Sequence, residues 1–137
     1  MVYNEDTKEL RNIPMQIYES SENYLKTILQ LQQKKEHVHS IDVAEELGFS
    51  KASVSIAMKK LRENGYITME KDGTLHLLEP GRNIAERIDE RHRILTSLLV
   101  YLGVDGETAL QDACRVEHDL TEQSFDRIKD FVEKLPE

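Results

Sequence analysis

A chain of 137 residues, 39% hydrophobic and 32% charged, is suited to one compact domain or two small ones sharing a core, not to a disordered chain. No apolar run approaches a bilayer span, and the amino terminus, MVYNEDTKEL, is polar and acidic where a secretory signal is basic and then apolar. A cytoplasmic protein with no membrane partner is expected; its single cysteine excludes an internal disulfide, and its net charge of −8 argues against nonspecific nucleic-acid binding by the whole surface.

Residues 1 to about 17 lack strong periodicity, and residues 1–19 read as an N-terminal arm. A helix follows from about Ser21 to Gln32, with Tyr24, Leu25, Ile28, Leu29 and Leu31 as its apolar face. Ser40 is placed as the N-cap of a short helix carrying Ile41, Val43, Ala44 and Leu47 and stopped by Gly48. After a tight turn through Phe49, Ser50 caps a second helix whose inward positions are Val54, Met58 and Leu61, ended by Glu63, Asn64 and Gly65. This is helix-turn-helix grammar. From Ser50 to Arg62 the chain holds Lys51, Lys59, Lys60 and Arg62 and no acidic residue, so charge is segregated despite the acidic total.

The next stretch, YITMEKDGTLHLLEP, alternates about an Asp72-Gly73 turn and predicts a hairpin with Lys71 and Thr74 at its tip. Helix, turn, basic helix and hairpin in that order make a winged helix over residues 20–82, and the expected partner is double-stranded DNA. Ser50, Lys51, Ser53 and Ser55 stand where base edges are met, and Ser40, Lys59, Lys71 and Thr74 complete the expected DNA-facing set. The competing reading, a merely solvated charged face, gives no reason for the wing.

Pro80 and Gly81 are read as a break, followed over residues 83–137 by an all-helical region. Its first helix runs from about Asn83 to Tyr101 with a seam of Ile84, Ile88, His92, Leu95 and Leu99; two more cover Glu107 to Asp119 and Thr121 to Leu135, the last turning Phe125, Ile128 and Val132 inward. The fold class is therefore mainly α with a small β-hairpin.

The stretch DACRVEHDL places Cys114, Glu117 and His118 at i, i+3 and i+4, on the face that also carries Leu110 and Ala113. An inward, unpaired carboxylate costs several kcal/mol, so it needs a partner. His92 sits in an apolar seam of the neighbouring helix. Singly, each has an ordinary explanation: a hydrogen-bonded core histidine, a small hydrophobic cysteine, a Glu117 paired with Arg93 or Lys26. A divalent transition metal would account for all of them at once.

These words carry a family resemblance. SSENYLKTI, VAEELGFSKASVSIAMKKL, the RHR of residues 91–93 and above all DACRVEH resemble the metal-responsive repressors that include the diphtheria toxin repressor and the manganese transport regulator, over nearly the whole chain from about Ser20. The resemblance implies a winged helix-turn-helix followed by a helical dimerisation and metal-binding domain, acting as a homodimer on a near-palindromic operator, with no enzymatic activity and no small-molecule substrate. It implies a repressor of metal-ion homeostasis genes, switched on for DNA when iron(II) or manganese(II) joins the first helix to the CxxEH helix. Cys114, Glu117 and His118 match ligands of the toxin-repressor type, His92 matches a ligand of the ancillary or manganese site, and Asn23 stands where one type has a methionine ligand and the other an aspartate. Lys26 stands where the manganese type has a ligating glutamate, and a protonated lysine cannot coordinate. Thr96 and Leu110 occupy further ancillary positions, so one site per subunit is expected. The thiolate favours iron(II), with manganese(II) next.

Two rival readings accompany this one. A winged-helix regulator that ignores metal would use Asn23 and Lys26 in place of a working site. A small metal-dependent hydrolase with Glu117 as base has suitable chemistry but explains neither the acid-free helix nor the wing.

Overall fold

A computed structural model describes residues 19–136 of the chain; most of the arm expected over residues 1–19 lies outside the described residues. The described part contains six helices and one hairpin: α1 Glu19–Gln32, α2 Ser40–Leu47, α3 Lys51–Glu63, β1 Ile67–Met69, β2 Leu75–Leu77, α4 Glu79–Tyr101, α5 Gly106–Val116 and α6 Glu122–Glu133. No helix among them is long and apolar enough to cross a membrane.

The amino-terminal half is a winged helix. Leu25 and Ile28 of α1, Val43 of α2, Val54 and Met58 of α3 and Ile67 and Leu75 of the wing are all buried in one cluster, as the helical and alternating spacings of the sequence require. The turn between α2 and α3 depends on Gly48, whose φ of 71° is left-handed and costs a residue without Cβ little. Ser50 caps α3, accepting a hydrogen bond from the Ser53 N–H at 3.1 Å. At α2 the expected cap is displaced by one residue: His39 is the N-cap and Ser40 the first helical residue. The reason is Asp42, whose carboxylate accepts the His39 N–H at 2.8 Å and so satisfies a backbone donor that a serine cap would have left free.

In the wing, Ile67 pairs with Leu77, Thr68 with His76 and Met69 with Leu75, antiparallel. The Leu75 N–H donates to the Val38 carbonyl at 2.8 Å, so the segment before α2 lines the other edge of β2, a pairing between residues 37 apart in sequence that no local pattern announces. It also places Thr74, expected at the exposed tip, in the interior at 1% exposure, its N–H donating to Asp72 Oδ1. Thr74 is therefore buried where exposure at the wing tip was expected, whereas Lys71 is exposed.

The expected break at Pro80-Gly81 is not one. The helix begins at Glu79, with Pro80 in its first turn, where no N–H is needed. Gly81 is required by close approach: a Cβ there would lie 2.2 Å from the Tyr66 carbonyl oxygen. Helix α4 thus runs without interruption across the expected boundary at residues 82 and 83. Its buried Ala85 belongs to the winged-helix core, while its Ile88 and Leu95, with Ala109 and Ala113 of α5 and Phe125 of α6, form the interior of the second half. Helix α5 stops at Val116, three residues earlier than its spacing suggests, with Glu117 as C-cap; because Glu117 keeps helical angles (φ −55°, ψ −28°), its side chain still points inward.

Candidate functional site

Two surfaces invite function, and the first is the face of α3. Ser50, Lys51, Ser53, Ser55 and Lys59 are all exposed, as is Lys71 on the wing; Ser40 is half-buried. The interior positions of α3 are spent on Val54, Met58 and Leu61, so its hydroxyl and ammonium groups are left outward with no acidic neighbour on the same helix before Glu63.

The second is a buried polar cluster where α1, α4 and the end of α5 meet. Helix α1 contributes Glu22, Asn23 and Lys26, spaced to share one face; α4 contributes Arg87, Arg91 and His92; the α5 end contributes Cys114, Glu117 and His118. The Glu117 carboxylate is completely buried. Its Oε1 accepts from Lys26 Nζ at 2.6 Å and its Oε2 lies 2.9 Å from His92 Nδ1, so both oxygens are satisfied. Lys26 Nζ also lies 3.7 Å from Cys114 Sγ. His118 bridges Glu117 and α1: Nδ1 is 2.9 Å from Glu22 Oε1, and Nε2 is 3.0 Å from Asn23 Oδ1 and 3.4 Å from Glu117 Oε1. Arg87 donates to the other Glu22 oxygen at 2.7 Å.

Arg91 closes the cluster from below. Its Nη1 donates to the carbonyls of Glu117 and Leu120 at 3.1 and 2.7 Å, satisfying acceptors left over where α5 ends, and its guanidinium stacks over the Phe125 ring at 5.2 Å. Burial, followed by the nearby charge of Arg87, lowers the Arg91 pKa from its ordinary value.

The cluster brings together every residue expected around a metal, Asn23, His92, Cys114, Glu117 and His118, but not as a ligand set. Among the described residues no three His, Cys, Asp or Glu side chains are arranged to hold a metal ion. Both His118 nitrogens are engaged by α1, both Glu117 oxygens have partners, and the point facing the thiol and the carboxylate is held by the Lys26 ammonium. The residues present therefore do not fit a divalent ion as they stand. Of the readings open to Glu117, pairing with Lys26 is the one realised; Arg93 instead reaches Asp89. Glu22, Arg87 and Arg91 are members that spacing did not single out, although Glu22 and Lys26 at i and i+4, flanking Leu25 on the inward side of α1, are a signal that can be read.

A winged helix with a basic, outward second helix, joined by a continuous helix to a small helical domain, defines a DNA-binding regulator. Profiles of the iron dependent repressor N-terminal DNA binding domain and of the iron dependent repressor metal binding and dimerisation domain match residues 16–75 and 78–137. The chain belongs to the iron-dependent repressor family, metal-dependent helix-turn-helix transcriptional repressors. It is similar to the HTH-type transcriptional regulator MntR of Bacillus subtilis (strain 168), 35% identical over 118 residues that cover 86% of this chain and 83% of the relative. MntR of Lysinibacillus sphaericus (strain C3-41) is 34% identical over 118 residues, 86% of this chain and 85% of that one. A solved manganese-dependent transcriptional repressor in complex with manganese superposes with a TM-score of 0.76 at 29% identity over 82% of this chain; the chain spans about half, 52%, of that longer protein.

Proposed function

We propose that this protein is a cytoplasmic, homodimeric transcriptional repressor of metal-homeostasis genes, not an enzyme, that reads a near-palindromic operator with α3 and whose DNA binding is governed by the junction of α1 with the end of α5. The observation that carries the reading is the outward, acid-free α3 face beside the wing, with Ser50, Lys51, Ser53, Ser55 and Lys59 exposed. Hydroxyls and ammonium groups at the start of such a helix suit base edges and phosphates in the major groove.

Dimerisation is supported by unpartnered apolar side chains on the second half. Val100, Tyr101, Leu102, Leu110 and Phe131 are each about half exposed or more, and Tyr101 and Phe131 meet edge to face at 6.5 Å, joining the end of α4 to α6 in an apolar patch that a second copy would cover. As to the effector of the class, the thiol of Cys114 argues for iron(II), while the solved repressor that superposes on this chain is a complex with manganese; neither ion finds a prepared set of donors among the described residues.

Selection of bound duplexes from a randomised pool, run in chelator, with manganese(II) and anaerobically with iron(II), tests the reading. Enrichment of an inverted repeat with half-sites about one helical turn apart is expected. No enrichment in any of the three conditions would overturn it.

A further inference from the structure

The junction between the two halves contains its own cation. Lys26 projects from α1 of the winged helix into the second half and is 5% exposed, its Nζ 2.6 Å from a carboxylate oxygen of Glu117 and 3.7 Å from the thiol of Cys114, across 91 and 88 residues of sequence. The four side chains of the second half expected around a metal, Cys114, Glu117, His118 and His92, are all within this cluster. Two of them face the ammonium, His92 holds the other oxygen of the same carboxylate, and His118, its Nε2 3.4 Å from the oxygen that Lys26 contacts, also reaches α1 through Glu22 and Asn23.

Formal charges leave no deficit for an added ion to fill. Glu22 and Glu117 bring two negative charges; Lys26 and the half-exposed Arg87, each in direct contact with one of them, and the buried Arg91 bring three positive ones. A divalent ion entering here would add two positive charges beside a buried ammonium in a medium where charges are weakly screened, and would have to break the 2.6 Å pair to reach Glu117. The same ammonium does mechanically what a bridging ion does: it links a winged-helix element to the end of α5.

We propose that the Lys26 ammonium is a built-in replacement for the divalent effector, tying α1 to Cys114 and Glu117 permanently, so that the repressor holds its operator-binding arrangement without metal and gains nothing from manganese(II) or iron(II). This rests on the proposed function above, in which the α1–α5 junction governs DNA binding. A ligand, or here a covalently attached side chain, biases a two-state protein only by preferring one arrangement, and the buried Lys26–Glu117 pair exists only when the two halves are docked. Replacing Lys26 with a carboxylate would invert the logic, setting two carboxylates, a thiol and an imidazole around a point that then requires a cation.

The test uses the full chain and two independent readouts, operator affinity and metal-induced change in melting temperature. Wild type in chelator is expected to bind the selected duplex within about twofold of its affinity in manganese(II) or iron(II), with no metal-induced change in melting. Lys26→Met combined with Glu117→Gln, which removes both charges so that neither is stranded, is expected to fold and to lose about tenfold or more in metal-free operator affinity, a coupling of ordinary size. Lys26→Glu is expected to melt lower in chelator than wild type and to recover both stability and DNA binding on addition of manganese(II). Metal-dependent operator binding by wild type, a metal-induced rise in its melting temperature, or unchanged metal-free binding by the Lys26→Met/Glu117→Gln variant would overturn the proposal. If no duplex is bound under any condition, the proposed function fails instead, and the melting readout alone decides the Lys26 assignment: stabilisation by metal confined to Lys26→Glu supports it, and stabilisation of wild type refutes it.

Discussion

Lys26 and Glu117 face each other at 2.6 Å with side chains 7% and 0% exposed, one on the first described helix and the other at the end of the fifth. Such a pair is expensive to break and cheap to replace. Removing one partner leaves a buried charge uncompensated, at about 3–5 kcal/mol, whereas removing both costs far less. Urea denaturation should therefore find Lys26→Met strongly destabilised and the Lys26→Met/Glu117→Gln double variant much closer to wild type. Additive losses in the two single variants and the double would mean the pair is not coupled in solution.

The packing of α4 on the wing rests on Gly81. A methyl group there would approach the Tyr66 carbonyl oxygen to 2.2 Å and the Leu25 side chain to 3.3 Å, and the carbonyl belongs to backbone that cannot rotate away. Gly81→Ala should cost about 2–3 kcal/mol, the scale of an overpacked core position, despite the better helix propensity of alanine. A thermal melt at or above that of wild type would show that α4 stands further from the wing than described.

Lys51 and Thr74 separate two expectations about DNA. Lys51 is exposed at the start of α3, so Lys51→Ala should weaken operator binding and reduce the slope of log affinity against log salt by about one. Thr74 is buried, and Thr74→Ala should leave that slope unchanged. Fluorescence anisotropy across a salt series reads both, and a reduced slope for Thr74→Ala would place the wing tip on the duplex after all.

At the start of α2, Asp42 is buried enough that desolvation pushes its pKa up, but the Lys35 hydrogen bond at 2.9 Å, the His39 N–H and the charges of both residues outweigh this and hold it below 3.8. The sign follows from linkage: a carboxylate with a lowered folded pKa contributes stability above its unfolded value, and that contribution is lost as pH falls through the lowered one. Asp42→Ala should cost about 1 kcal/mol at neutral pH, as lost helix caps do, and progressively less below pH 3.8. Equal losses at neutral and strongly acidic pH would assign the effect to something other than the charge.

Tyr101 and Phe131 bring the exposed apolar face of α4 and α6 together. A charge placed there, as in Phe131→Glu, should shift sedimentation from dimer to monomer and weaken operator binding, because two half-sites are then no longer held at a fixed spacing. A dimeric Phe131→Glu variant would move the interface elsewhere.

Local chemistry made much of this molecule legible from its residues alone. The order of elements, the inward faces of α1 and α3, the turn at Gly48, the hairpin about Asp72-Gly73 and the inward direction of Glu117 all follow from periodicities, caps and turn residues acting over a few positions. Boundaries were less secure where two local signals compete: Pro80 reads equally well as a breaker or as a first-turn residue, and only its contact partners separate the two.

What the residue string determined at the polar cluster was the part that the end of α5 contributes, since Cys114, Glu117 and His118 had to face inward and had to be compensated. What compensates them was decided by tertiary structure. Whether Glu117 meets a metal, Arg93 or Lys26 depends on how α1 docks on α4 and α5 across some ninety residues, a relation fixed by the packing of Leu25, Ile28, Ala85 and Ile88 and not by any spacing within DACRVEH. The same holds for Thr74, whose place at a turn is local but whose burial comes from the Val38 segment lying against β2. Short-range energies set what each segment is; only the shared core sets which charges come face to face.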